Sequence, residues 1–317
     1  MKKRYLILED GTITYAYERE FREGNDVAIA YKLSTYSSIF KTATLTNIEK
    51  LGIGAFGGND DLTTVTFGDK ITEIPNYAFA RCIGITEMQL PEQMSSVGEY
   101  AFYGTKLTSI VIPASVKTIG QTSFKGCKAL KTVTFDENCQ LTKIDNLAFE
   151  GSGITKITLP ENISANTTFG TTIFKNCVDL KEAYLPKSIA GLNNCFLGCA
   201  LEVLEVATSG DASADAFYVD TVNGFVMNGD KNAIQLYFGT AEEVVIPAGV
   251  VDIANNAFAG NTSLKKITLP STLQKIGNEA FMGCSNLAEV VAPQNIALNN
   301  IGTSAFKNSG LTSIIVP

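Results

Sequence analysis

Asn278-Glu-Ala-Phe-Met-Gly-Cys-Ser-Asn-Leu-Ala-Glu-Val-Val-Ala-Pro293 decides the fold, because the same pattern is written ten times along the chain. Its fixed point is a Phe, usually preceded by Ala: Phe56, Phe79, Phe102, Phe124, Phe149, Phe174, Phe196, Phe258, Phe281 and Phe306. The steps between them are 23, 23, 22, 25, 25, 22, 62, 23 and 25 residues. Eight near-equal steps and one long one describe a repeat array with a single insertion. A period of about 20–29 residues with apolar anchors predicts a leucine-rich-repeat solenoid.

Each repeat reads approximately A-F-x-G-C-x-x-L-x-x-I-x-L-P-x-x-L-x-x-I-G. The Phe returns to the same place on every coil, which predicts a stack of rings down the core. Two residues later stand Gly58, Gly104, Gly126, Gly151, Asn176, Gly198, Gly260, Gly283 and Asn308, with Arg81 the exception. Gly and Asn tolerate left-handed backbone, so a helical turn carrying the Phe is expected to end there. The segment Leu264-Lys-Lys-Ile-Thr-Leu269 finishes in period-two alternation and predicts a short strand. Eight of the nine prolines close such strands, since proline cannot continue the ladder. Neighbouring coils are expected to set these strands side by side in parallel, about 4.8 Å apart. Gly98, Gly120, Gly277 and Gly302 follow the last aliphatic residue of a repeat (Ile, or Val97 before Gly98), but Pro75 and Ala254 share the position. Proline cannot adopt positive φ, so close approach between coils accounts for these glycines better.

The A-F-x-G-C…L-x-x-I-x-L-P…I-G pattern, from about 43 to 317, resembles the BspA-like leucine-rich repeats, a bacterial branch of that superfamily. The sequence lacks the asparagine ladder of the more familiar leucine-rich repeats. The resemblance implies an α/β-type right-handed superhelix, with one short parallel strand per coil and an irregular or helical-turn convex side. It also implies a cell-surface or secreted protein, similar to family members that act as adhesins for extracellular-matrix proteins. An export signal is usual in the family, yet only Tyr5-Leu-Ile-Leu8 follows the basic Lys2-Lys3-Arg4. That apolar run is too short for a signal peptide, so either a trimmed chain or a departure from the family is expected.

Composition narrows the function. The chain has 317 residues, a net charge of −7, and neither His nor Trp. Without His there can be no Ser-His-Asp or Cys-His machinery. With no basic block, nucleic acid is not expected as a partner. No run of 18 apolar residues is present, so no spanning helix is expected. Neither a phosphate loop nor a calcium loop nor metal-ligand spacing occurs, and no cofactor is expected. Gly52-Ile-Gly-Ala-Phe-Gly57 matches G-x-G-x-x-G, but the repeat already explains each glycine. Ser263-Leu-Lys-Lys266 matches S-x-x-K without its partner motifs.

Of seven Cys, five (Cys82, Cys127, Cys177, Cys199 and Cys284) lie three residues after the ladder Phe and read as one buried core position. Cys177 and Cys199 fall on adjacent coils, where parallel side chains argue against a bond. Cys139, in Asp136-Glu-Asn-Cys-Gln140, is off the ladder and is expected to be the exposed thiol.

Residues 1–42 are expected to form an N-terminal cap with a β-hairpin turning at Asp10-Gly11. The array of 22–25-residue coils then fills 43–317. It is interrupted near 208–243, where Asn223-Gly224 and Asn228-Gly229 predict a hairpin or small meander. That insertion reads as a protruding recognition element or as an ornament on the convex side. Ile314-Ile-Val-Pro317 stops where a strand ends, so the chain is expected either to continue or to pair edge to edge with a second copy.

The outward residue of each strand runs Thr66, Gln89, Val111, Thr134, Thr158, Tyr184, Glu205, Thr268, Val291 and Ile315. Against this Thr-rich background Tyr184 is a large aromatic, with Lys156, Glu182 and Glu205 supplying charges of both signs nearby. An aromatic in a polar surround is the usual composition of an interface hot spot. These four residues are the candidate protein-binding site of a non-catalytic module, engaging a host or neighbouring-cell protein through its concave sheet or its insertion. A structural spacer within a larger surface protein is the alternative, and an enzyme of unknown type a distant one.

Overall fold

The computed structural model describes residues 4–7, 13–16, 41–45, 50–161, 163, 168–187, 192, 194–207 and 217–315. They fall into two compact units, Met1–Leu180 and Lys181–Pro317. Each unit contains a run of β-solenoid coils.

In the first unit, Arg4–Ile7 pairs antiparallel with Ile13–Ala16, with Arg4 opposite Ala16; the Asp10-Gly11 turn lies outside the described residues. The repeat strands pair in parallel one coil apart, Thr42–Leu45 with Thr64–Phe67 and Ser109–Ile112 with Thr132–Phe135. Along each strand the burial alternates, so that Ile110 and Ile112 face the core while Ser109 and Val111 face solvent. A second parallel sheet, which periodicity alone did not reveal, runs through the two-residue strands Glu73–Ile74, Ser96–Val97, Thr118–Ile119, Lys143–Ile144 and Thr168–Phe169. The apolar residue that ends each repeat (Ile74, Val97, Ile119, Ile144 and Phe169) is therefore a strand residue as well as a core residue.

The Phe ladder forms as the repeat predicts. Phe79 and Phe102 stack with centroids 5.6 Å apart and planes 10° apart, and Phe124 and Phe149 at 5.1 Å and 6°. In the second unit Phe258 stacks on Phe281 at 4.8 Å, and Phe281 on Phe306 at 5.1 Å. Phe79, Phe102, Phe124, Phe149 and Phe281 are wholly buried. Offset stacking adds about 0.5–1.5 kcal/mol per pair to the burial of each ring.

The turn carrying the Phe is not helical, and no helix occurs among the described residues. Two left-handed residues frame each Phe, one two places before and one two places after. The second is the expected Gly or Asn, and Arg81 adopts it too, at φ 61°. The first is Gly54, Asn194 or Asn256 in three coils, but elsewhere it is Tyr77, Tyr100, Thr122, Leu147, Thr172, Glu279 or Ser304, residues with no such preference. With this geometry the N–H groups at both framing positions and at the Phe itself point to the next coil. Tyr77, Phe79 and Arg81 donate to the carbonyls of Glu99, Ala101 and Tyr103 at 2.9, 2.8 and 2.6 Å. The outward-turned N–H groups of this turn are thus satisfied by the neighbouring coil, while Ala78, Ala80 and Cys82 bond within the turn.

Close approach accounts for the glycines after Ile. A Cβ on Gly98 would lie 2.6 Å from the Asn76 backbone N and 2.7 Å from Asn76 Oδ1, and Gly277 and Gly302 meet Asn255 and Asn278 in the same way. The asparagines explain the crowding. Although the familiar asparagine ladder is missing, Asn76, Asn146, Asn255 and Asn278 each accept a backbone N–H from the next coil at 2.7–2.8 Å.

The thiols need one correction. Cys82, Cys127, Cys177 and Cys284 are buried and donate to the carbonyls of Phe56, Phe102, Phe149 and Phe258, the ladder residues one coil back. Cys139, expected to be exposed, is only 2 % accessible. The N–H groups of Asp136 and Gln140 bond to Ile112 and Ala114 carbonyls of the preceding coil, and this holds the segment down with Cys139 inward. All seven cysteines are free.

A candidate protein-binding face on the second unit

The second unit carries the repeat strands Glu182–Leu185 and Val203–Val206, paired in parallel so that Tyr184 stands beside Glu205. A further parallel set is formed by Glu243–Val245, Lys266–Thr268 and Glu289–Val291, which ranks Val245, Thr268 and Val291. Alternation turns Ala183 and Leu204 inward and leaves Tyr184 half-exposed and Glu205 exposed. The Tyr184 hydroxyl donates to Glu182 Oε2 at 3.2 Å, so the ring is tethered on its own strand. Three of the four residues singled out in the sequence therefore share one patch. Lys156 is exposed on the strand Lys156–Thr158 of the first unit.

The charges around these strands largely satisfy one another. Lys181 pairs with Glu202 at 2.8 Å, Lys265 with Glu242 at 2.7 Å and Lys266 with Glu289 at 3.1 Å. Exposed pairs of this kind contribute little to stability, but they remove charge from the competition for a partner. Apolar surface stands among what they leave: Val245 is 67 % exposed on its strand, where the coil restarts after the insertion.

The insertion supplies a second element. Phe217–Asp220, Phe225–Asn228 and Ala233–Tyr237 form an antiparallel meander, and Ala233–Tyr237 then pairs in parallel with Asp252–Ile253. The meander is part of the core, with Phe225, Met227, Ile234 and Tyr237 all buried. Tyr237 replaces Phe at the start of the second ladder, stacking on Phe258 at 4.8 Å. The meander is accordingly no detachable ornament. Its tip does protrude: Val222 is 90 % exposed. A groove of about 650 Å³ runs between that tip and the strand of Val245, with Glu202 and Glu243 also on its walls.

Asp220 shapes the tip. Its Oδ1 accepts the N–H groups of Val222 and Asn223 at 3.1 and 3.0 Å, and its Oδ2 accepts the Asn223 side chain at 2.8 Å. Burial works against its ionisation, but the bonds from Asn223 and Val222 prevail and hold the carboxyl below the usual range.

Among the described residues no group of three or more His, Cys, Asp or Glu side chains could hold a metal, and no helix is long and apolar enough to cross a membrane. Ile314 and Ile315 are exposed, 315 at 79 %, but 311–315 form no strand, and 316–317 lie outside the described residues.

No curated protein matches the chain significantly. Solved structures similar to it include the pneumococcal vaccine antigen PcpA, at 22% identity over 83% of this chain, with a TM-score of 0.47. The chain spans 58% of the length of that structure. A leucine rich cell surface protein from Faecalibacterium prausnitzii is 18% identical over 95% of this chain and 93% of its own, with a TM-score of 0.49. A leucine-rich repeat protein from Bacteroides ovatus is 18% identical over 97% and 91%, with a TM-score of 0.41. The BspA type leucine rich repeat region matches in six copies, over residues 29–105, 49–165, 95–223 and 234–317, and the chain belongs to that family.

Proposed function

We propose that this chain is a non-catalytic protein-binding module of a bacterial cell-surface or secreted protein, and that it binds through the outward strand face of its second unit. The observation that carries this reading is Tyr184. An aromatic ring is tethered by Glu182 and flanked by Glu205 on the outward strand face. A ring already held in place loses little freedom on binding, and such residues dominate interface energetics. Val245 and Val222 extend the same chemistry with exposed apolar surface on either side of the groove.

The reading is tested by pull-down from matrix and serum proteins, followed by titration of the captured protein. Tyr184→Ala weakens binding by about 1–2 kcal/mol while the thermal midpoint barely moves. Unchanged affinity in that variant places the contact elsewhere. Excising 221–238 would remove core residues, so Val222→Ser is the variant that probes the insertion tip. A spacer role predicts that neither variant changes any interaction.

A further inference from the structure

The chain's negative charge is not spread evenly along it. Between 188 and 264 stand nine Asp and Glu side chains and a single cation, Lys231, a net charge of −8 where the whole chain carries −7. Lys231 is itself committed, its Nζ lying 3.9 Å from the centre of the Tyr218 ring. This segment of the second unit contains the meander and the strand Glu243–Val245 that restarts the coil after it. Charge of one sign concentrated on one part of a surface attracts the opposite sign and speeds its encounter.

The groove between the meander tip and that strand lies within the acidic segment. Glu202 and Glu243 stand on its walls, and none of the described residues lining it is a Lys or Arg. Glu243 is exposed and has no ion-pair partner among the described residues, while Glu202 shares Lys181 through two largely exposed side chains. A pair of that kind is worth at most about 1 kcal/mol, so it yields readily to a second cation. Beside the acids stand Val222 and Val245, two of the three most exposed large apolar side chains among the described residues. Phe238, half-exposed, also lines the groove. The wall is fixed in advance. Phe238 donates its N–H to the Gly224 carbonyl at 2.9 Å, and a Cβ on Gly224 would lie 2.6 Å from the Gly239 Cα, so the tip is packed down at its base. A surface already ordered loses little freedom when a partner docks.

We propose that this groove is the docking site for a cationic segment of a partner protein, one that presents Lys or Arg beside an aliphatic side chain. The cation meets Glu243 and Glu202, and the aliphatic group covers Val222 and Val245. The carboxylates alone would accept any counter-ion, and the valines alone any apolar surface. Together they select a segment that carries both, and they reject an acidic partner, which would bring like charges into the groove. The inference rests on the reading of the chain as a protein-binding module, and it names the chemistry of the partner.

The test uses the full chain labelled with 15N and three probes: the capped peptide acetyl-Leu-Arg-Leu-Arg-amide, its Leu-Glu-Leu-Glu counterpart, and spermine. The Arg peptide produces saturable amide shifts centred on Val222, Asn223, Glu243 and Val245; the Glu peptide and spermine do not. Raising the salt from about 50 to about 200 mM weakens the Arg peptide roughly threefold or more, because screening shortens the reach of the carboxylates. Glu243→Gln and Val245→Ser, both changes to exposed side chains, each weaken it roughly threefold or more. Four results overturn the proposal: no saturable shifts, an equal response to the Glu peptide, an equal response to spermine, or undiminished binding by the double variant. If Tyr184→Ala weakens capture of a protein partner while the Arg peptide never saturates, the strand-face reading stands and this inference fails. If the peptide saturates and Tyr184→Ala leaves capture unchanged, the groove stands and the strand face fails. Loss of both effects rejects both.

Discussion

Asn278 Oδ1 accepts the backbone N–H of Thr303 at 2.8 Å, one coil further along, and that contact dictates a glycine beside it. A Cβ on Gly302 would stand 2.6 Å from the same oxygen and 2.4 Å from the Asn278 N. The relation repeats: Asn76 is followed by Gly98, Asn146 by Gly170, and Asn255 by Gly277, each with the same crowding. Where the preceding coil offers Ile53 or Gln121 instead of Asn, the next coil carries Pro75 or Asp145. Gly120 follows Glu99 and is crowded by backbone alone.

From this coupling, Asn278→Ala removes one hydrogen bond and costs about 1 kcal/mol. Gly302→Ala forces two coils apart and costs about 1–3 kcal/mol, more than the asparagine variant. Urea denaturation of both variants checks the order; equal losses would show that the asparagine, not the close approach, governs the site.

Ser123 stands where most coils have Ala before the ladder Phe, and it is wholly buried with its hydroxyl unpaired. Ser123→Ala removes a desolvated polar group and creates no cavity larger than an oxygen. It stabilises the chain by about 1 kcal/mol, read as a higher denaturation midpoint. A loss of stability would mean that the hydroxyl has a partner, such as an ordered water.

Burial pushes the thiols of Cys82 and Cys284 up to about 12 and that of Cys127 to about 11. Native protein at pH 8 should therefore resist alkylation at these positions, with labelling appearing only as denaturant unfolds the coils. Their folded pKa values lie above the unfolded value of about 8.5, so their contribution is fully present below that pH and declines as pH rises toward the folded values. Stability measured between pH 8 and 11 falls at the alkaline end. Replacing the three by Ala should flatten that part of the profile.

Asp220 behaves with the opposite sign. Its carboxyl is held below its ordinary value, so its contribution to the hairpin tip is complete above the unfolded pKa of about 3.9 and is lost as pH falls through the folded one. The amide resonances of Val222 and Asn223 should shift together in acid, tracking a single titration. Asp220→Ala should give the disordered-tip spectrum at neutral pH, with the core resonances of Phe225 and Ile234 unchanged.

The solenoid, its coil length, the Phe ladder and the parallel strands closed by proline were all legible in the sequence. Each coil packs only on its neighbours, so identical local demands recur at a fixed interval and print themselves as a period. Tyr184 was visible for the same reason, as a break in an otherwise regular series of outward residues. Tertiary structure decided the features that depend on what lies one coil away. Leu147 and Thr122 adopt left-handed backbone because hydrogen bonds to the next coil outweigh their own preference, and nothing in their identity announces it. Cys139 is buried because Asp136 and Gln140 bond backward onto an earlier coil. Tyr237 carries the ladder although it belongs to a meander outside the repeat, since stacking needs only an aromatic ring at the right place.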